Sequence, residues 1–378
     1  MMLEKHVWLT QTHLPGGALL RSYTVEDRGG GIPDRRRELR FRIGGLAQVE
    51  LGNMDSAAAG LVFSAMHERR DLVLHGAVSR RLLENLEEFQ LAWSAWLPKL
   101  YAPIEIRAER ETDEVADPPA SHPAAPAIAA FSGGVDASFT VWRHHRKTPG
   151  RHHRNLAAVM LVQGFDIPPG QDAAFAVASA GARDSLDGTG LAFHTVWTNL
   201  AAFLPQWEMN FAAGFAACLH QFSGTYASGL LASDEPYQHI VTPWGSHPVT
   251  NWMLSSGALE VVTDGAGYSR TARVSHIADW PGAMRNLRVC WQGPQTGRNC
   301  CRCEKCIRTM LNFRAAGLER PSAFAEDVSD DQIRSVVLRN GVQRMYMREV
   351  TLVARANGVT ASWLDAVEDL LRPRPPAP

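Results

Sequence analysis

A loop of small residues, wedged between an apolar run and a helical segment, narrows the possible folds more than anything else in this 378-residue chain: Ala129-Ala130-Phe131-Ser132-Gly133-Gly134-Val135-Asp136-Ala137-Ser138-Phe139. An apolar strand enters, the adjacent glycines remove the Cβ atoms that would block a tight turn, and Phe139 to His145 continue as a helix. A helix begun this way presents unpaired backbone N–H groups, and the positive end of its dipole, to whatever lies over the loop. The loop is therefore read as an anion site. Ser132 and Ser138 add hydroxyl donors, and Asp136 is placed to hold a magnesium ion or to orient the loop.

The alternation continues beyond the loop. Ala127 to Phe131, Ala157 to Val162, Ala192 to Trp197, Tyr226 to Leu231 and Leu259 to Val262 are strand candidates separated by helical segments. That pattern predicts an α/β fold, a parallel Rossmann-like sheet with helices on both faces. Upstream, residues from about Arg40 to Ile106 mix short β-like runs with one clear helix, which starts at a Ser79 cap. It spaces Leu82, Leu83, Leu86, Phe89, Trp93 and Trp96 as a core stripe. Glu111 to Pro126 turns polar and then Pro/Ala-rich and reads as a linker. Segments around Ile333 to Leu338 and Val350 to Ala356 read as helical. The expected division is an N-terminal α+β domain over 1–119, an α/β domain over 120–315, a helical segment over 316–371 and a disordered proline-rich tail over 372–378.

Five of the six cysteines fall within 17 residues, as Cys290, Cys300, Cys301, Cys303 and Cys306; Cys218 stands alone. Clustering of this kind in a long chain favours metal or redox chemistry over a disulfide framework. Overlapping Cys-x-x-Cys steps at Cys300, Cys303 and Cys306, with Cys290 as a fourth ligand, suit tetrahedral zinc in a closed structural site. An iron–sulfur cluster and free thiols are the alternatives. Cys301 should point away from the site.

Lys and Arg number 38 against 39 Asp and Glu, a formal charge of −1, so no global field draws the chain to nucleic acid or an anionic membrane. No run of about 18 apolar residues predicts a membrane span. The first residues lack the pattern of a secretory signal, which predicts a cytoplasmic protein. The basic runs Arg35-Arg36-Arg37 and Arg143 to Arg154 read as solvated faces, and most of the eleven Trp as core.

The loop lacks the Gly-Lys-Ser/Thr ending of the Walker loop and is not Gly-x-Gly-x-x-Gly. It resembles the Ser-Gly-Gly-x-Asp-Ser signature of the PP-loop ATP pyrophosphatases, with Ala137-Ser138 where that signature has a single Ser. The resemblance implies that ATP is cleaved between its α- and β-phosphates at the C-terminal edge of a parallel sheet, leaving AMP on a substrate oxygen while Ser132, Gly133, Gly134, Val135, Asp136 and Ser138 hold pyrophosphate. It also implies that the edge Val162-Gln163-Gly164-Phe165-Asp166 receives adenine, which makes Gln163 and Asp166 cofactor candidates. Asp234 or Asp166 would serve a second magnesium ion or the substrate, or cap the next element, and Arg270, opening a helix after Ser269, would face phosphate or solvent. Loop and cysteines together resemble the 7-cyano-7-deazaguanine synthase family, whose Cys-Gly-x-Cys-x-x-Cys has Cys301 in place of its Gly here. The N-terminal 115 residues or so and the insert Pro243 to Pro248 set the chain apart from that family.

The expected function is therefore adenylation of a carboxylate or carbonyl oxygen of a small-molecule or peptide substrate, with ATP, magnesium and zinc. An ATP-dependent epimerase of a muropeptide glutamate, with His247 or Asp234 as base, is one alternative. A tRNA-thiolating enzyme and a non-catalytic nucleotide-binding module are others; the neutral charge balance weighs against the former. The oligomeric state stays open.

Overall fold

The computed structural model describes residues 3–30, 35–45 and 52–372. In chain order the first half holds β1 (Glu4–His13), β2 (Leu19–Arg28), β3 (Arg35–Gly44), α1 (Asp55–Glu68), β4 (Asp71–Ser79), α2 (Arg80–Trp96) and β5 (Ile106–Thr112). The second half opens with β6 (Pro126–Ala130), α3 (Val135–His145), β7 (Asn155–Gln163), α4 (Asp172–Ser185), β8 (Ala192–Thr198), α5 (Trp207–His220), β9 (Ser228–Ala232) and β10 (Glu260–Asp264). It closes with α6 (Arg270–Ile277), α7 (Pro281–Asn286), α8 (Glu304–Ala315), α9 (Asp330–Ser335), α10 (Gly341–Ala356) and α11 (Ser362–Leu371). The five strand candidates of the second half appear as β6 to β10, each within two residues of its expected ends.

Ten strands form one sheet in the order β10-β9-β6-β7-β8-β3-β2-β1-β4-β5. From β10 to β8 all neighbours are parallel, as the alternating pattern requires. The chain runs outward through β6, β7 and β8, then returns across β6 to lay down β9 and β10. The order of winding thus reverses beside β6, and the crevice at the carboxyl end of such a switch point is where open α/β sheets take their ligands. The Ser132–Asp136 loop leaves β6 at this place.

The two halves share the sheet. β3 pairs antiparallel with β8, Ile43 opposite Val196, and Asn199 extends the seam: its side chain accepts from Arg40 N–H and donates to Glu38 C=O, both at 2.8 Å. The linker after β5 is also laid down against the second half, with Ala116 N–H donating to Gly257 C=O at 3.1 Å.

The sequence reading finds one helix before the linker, whereas the structure has two. In α1, Asp55-Ser56-Ala57-Ala58-Ala59-Gly60-Leu61-Val62-Phe63-Ser64-Ala65-Met66 are all buried. A helix enclosed on every side has no polar face and hence no helical period to detect. Its small residues let it approach α5 closely: a Cβ on Gly60 would lie 3.1 Å from Ala217 Cβ. The α2 stripe is buried as its spacing predicts, except that Trp96 is only half-buried. Ser79 sits at the N-cap position, but its hydroxyl accepts from Gly257 N–H at 2.9 Å instead of capping α2, and its N–H donates to Asp55 Oδ1 at 2.8 Å. Of the residues read as solvated faces, Arg37 pairs with Asp27 at 3.1 Å, and His144 is buried beside Asp264 at 3.1 Å. The helix expected over Ile333 to Leu338 is α9, which stops at Ser335. Beyond Arg372 the expected disordered tail lies outside the described residues.

One apolar core crosses both halves, from Val7, Phe41 and Phe63 to Leu219, Leu254 and Val261. Phe63 packs its ring 4.8 Å from Trp93, 5.0 Å from Tyr101 and 5.2 Å from Phe89. Phe63→Ala should cost about 3–5 kcal/mol, the usual penalty for emptying a packed aromatic site. Because the core is shared, denaturant unfolding should still give one transition at a lower midpoint. Two separated transitions would contradict it.

Candidate functional site

At the loop, Gly133 has φ +74°, a left-handed conformation open to glycine. Gly134 N–H donates to Ser132 Oγ at 3.3 Å, and Gly133 C=O accepts from Arg288 N–H at 2.8 Å. The Arg288 side chain reaches back to Ser132 C=O at 3.3 Å and Cys290 C=O at 3.4 Å. The segment leading into the cysteine cluster therefore braces the loop from outside.

Over the loop lies a cavity of about 300 Å³, at the lower end of the range for small-ligand sites. Ser132, Gly134, Val135, Asp136, Asp166, Asp234 and Arg270 all line it, so the structure brings together most of the residues singled out in the sequence. Gly133 turns to the opposite side of the loop and lines a neighbouring depression. Ser138 is buried in α3, and Gln163 is buried with its amide donating to Asp172 at 2.8 Å; neither reaches the cavity. His247 is buried elsewhere, 3.1 Å from Thr242 Oγ1 and against the Trp96 ring. Of the two bases considered for an epimerase, only Asp234 reaches the cavity.

Asp136 is held between two arginines of α6, with Oδ2 2.5 Å from Arg270 and Oδ1 2.5 Å from Arg273. Burial pushes its carboxyl up, but Arg270, Arg273 and Lys305 outweigh that and hold it below the usual carboxylate range. With both oxygens taken by guanidinium groups, Asp136 orients the loop and α6. Arg273 is fully satisfied, donating also to the carbonyls of Ser233, Gly265 and Tyr268. Burial, and then the neighbouring Asp136, push Asp234 above its ordinary value. The next residue, Glu235, is pushed up to about 7, mainly by burial.

Sequence reasoning missed much of the wall. α8 contributes Glu304, Lys305 and Arg308; Arg339 and Asn340 just before α10, and Gln343 and Tyr346 within it, add more; Trp207, Phe211, Phe215 and Trp244 add aromatic surface. No local motif marks these side chains, because α5, the segment around Trp244, α8 and α10 meet only in the folded molecule.

Cys290, Cys300, Cys303 and Cys306 converge with their sulfurs within 4.8 Å of one another. The Cys300–Cys306 and Cys290–Cys303 separations are 4.0 and 3.9 Å, close to the edge of a tetrahedron with metal–sulfur bonds of about 2.3 Å. Three further observations fit a metal. Cys303 N–H points at Cys300 Sγ at 3.3 Å. Gly293 leaves a hollow in which a Cβ would lie 2.8 Å from Cys290 Sγ and 2.9 Å from Cys300 Sγ. Cys303 occupies the N-cap position of α8, at the positive end of the helix dipole. The four-cysteine group can bind zinc. Cys301 has φ +59° and turns its buried side chain away into the neighbouring core. Asn299 ties the two arms, accepting from Val289 N–H at 2.9 Å and donating to Leu287 C=O at 2.6 Å. Cys218 is buried, and burial raises its thiol well above the usual range, so it is inert.

Gly293→Ala should lower zinc affinity about tenfold or more, read by competition with a chromogenic chelator, because its methyl enters the ligand shell. Unchanged affinity would reject the four-sulfur geometry. Glu235 yields a pH prediction. Folded Glu235 keeps a proton that the unfolded chain releases above its ordinary value of 4.5, so its contribution to stability falls as pH rises from 4.5 to about 7. Glu235→Gln should flatten that part of the stability–pH curve.

No helix among the described residues is long and apolar enough to cross a membrane. Comparison of the chain with family models, curated proteins and solved structures finds no match.

Proposed function

We propose that the protein binds ATP through the Ser132–Asp136 loop, adenylates a carboxylate or carbonyl oxygen of a small-molecule or peptide substrate, and releases pyrophosphate and then AMP. The observation that carries this reading is the placement of the loop: it leaves β6 at the switch point and opens into a cavity that the cations Arg270 and Arg288 line beside it. Transfer of an adenylyl group asks little covalent work of a protein. It needs the two reactants aligned and the charge on departing pyrophosphate neutralised. Loop N–H groups and the start of α3 supply fixed dipoles for that charge, and Arg288 and Arg270 supply cations. The Trp207, Phe211 and Phe215 side offers apolar area for a flat ring such as adenine. Asp166 and Asp234 are the carboxylates that would hold magnesium, which would screen the phosphate charges when bound. Zinc on the four cysteines would be structural, since four protein ligands leave no open position.

Release of pyrophosphate from ATP, followed across a panel of small acids and acid-ending peptides with magnesium present, tests the proposal. Ser132→Ala should slow release by about a hundredfold to a thousandfold, as for removal of one donor to a developing oxyanion. Asp136→Asn should abolish release and also destabilise the fold by about 3–5 kcal/mol, because it strands two buried guanidiniums. Absence of ATP binding by calorimetry would refute the reading.

A further inference from the structure

A row of groups leads away from the phosphate loop along the cavity wall. Asp136 binds Arg270, whose guanidinium carbon lies 5.4 Å from the centre of the Tyr346 ring; Arg308 lies 4.3 Å from the same ring. Arg270 and Arg308 are each only 4% exposed. Burying a guanidinium is costly unless its donors are met, and these are met only in part. Arg270 Nε and Nη1 and Arg308 Nη1 have no hydrogen-bond partner. The remaining contacts of Arg308 are to Glu304 on its own helix, at 2.6 and 3.5 Å. Lys305 and Arg339 line the same cavity.

We propose that Arg308, with Arg339, forms a second anion subsite at the Tyr346 end of this row, and that it binds a carboxylate of the substrate other than the group that is adenylated. The proposal rests on the adenylation reading and narrows its substrate to acids with at least two anionic groups. A guanidinium with free donors is the side chain best matched to a carboxylate, and the same chemistry would accept a phosphate oxygen. Position separates the two sources. Arg270 and Arg288 are tied to the loop where triphosphate would lie, whereas Arg308, two residues after Cys306 on α8, is bonded to Glu304 and lies against the Tyr346 ring, with no bond to the loop. The subsite thus selects the acceptor and leaves ATP to the loop.

The test compares the full-length zinc-loaded protein with Arg308→Met and Arg308→Lys, the second of which preserves the charge facing Glu304. Binding of a non-hydrolysable ATP analogue is measured first by calorimetry, which also reports on folding. L-glutamate, an L-alanyl-L-glutamate dipeptide, a benzene-dicarboxylate and their monocarboxylate counterparts are then titrated into the analogue complex and assayed for pyrophosphate–ATP exchange. In the wild type the dicarboxylates should bind at least about tenfold more tightly than the monocarboxylates, as expected for one charged hydrogen-bonded pair. Both variants should lose that preference with analogue affinity unchanged. Loss of analogue affinity with the acid preference intact would assign Arg308 to ATP phosphate and overturn the proposal, as would failure of every dicarboxylate to bind. Exchange that proceeds with equal preference in wild type and variants would overturn the subsite while leaving adenylation standing. Preferential dicarboxylate binding without exchange would support the subsite and remove the adenylation reading.

Discussion

The Asp136 carboxylate between Arg270 and Arg273 is the constraint on which the rest of the site depends. Three charged groups are withdrawn from water at one point, and none is tolerable there without the others. The cluster joins the first turn of α3 to the first turn of α6, and through Arg273 it also reaches the carbonyls after β9 and β10. The loop, the switch point and the α6 wall therefore move as one body. Pre-organisation of this kind is what catalysis by positioning requires, because charge stabilisation is effective only where the donors need not reorganise.

The cysteine group extends the same logic to the far wall. Cys290 follows the Arg288 brace, and Cys303 and Cys306 begin the helix that carries Lys305 and Arg308. Metal bound there would fix, with one set of bonds, both the outside of the loop and the direction of α8. A structural ion would thus act on affinity for small molecules without touching them.

What the sequence discloses follows from how local each signal is. The glycine loop and the Cys-x-x-Cys steps are legible because backbone geometry and ligand spacing act over a few residues. The strands β6, β7 and β9 are legible because burial on both faces leaves unbroken apolar runs. α1 escapes notice because uniform burial erases its period, and β1 to β3 because charged residues such as Lys5, Asp27 and Arg37 are neutralised across strands that only the fold brings together. Gln163 and His247 looked functional from their place in the chain, yet each is turned inward to a neighbour's polar atom. Arg308 and Tyr346 could not be found at all, since their meaning lies in a pairing across 38 residues and in the cavity that they line.

The seam between β3 and β8 has a consequence for how the two halves coexist. Without the first half, β8 would end the parallel sheet as a bare edge, with Thr195 to Thr198 stripped of their pairing to β3. Edges of that kind recruit other chains, and natural proteins cover or blunt them. Here the cover is the mixed five-stranded first half, whose β3 joins β8 antiparallel and whose seam is extended by Asn199. The N-terminal half thus covers an edge that would otherwise lie open to pairing with another chain.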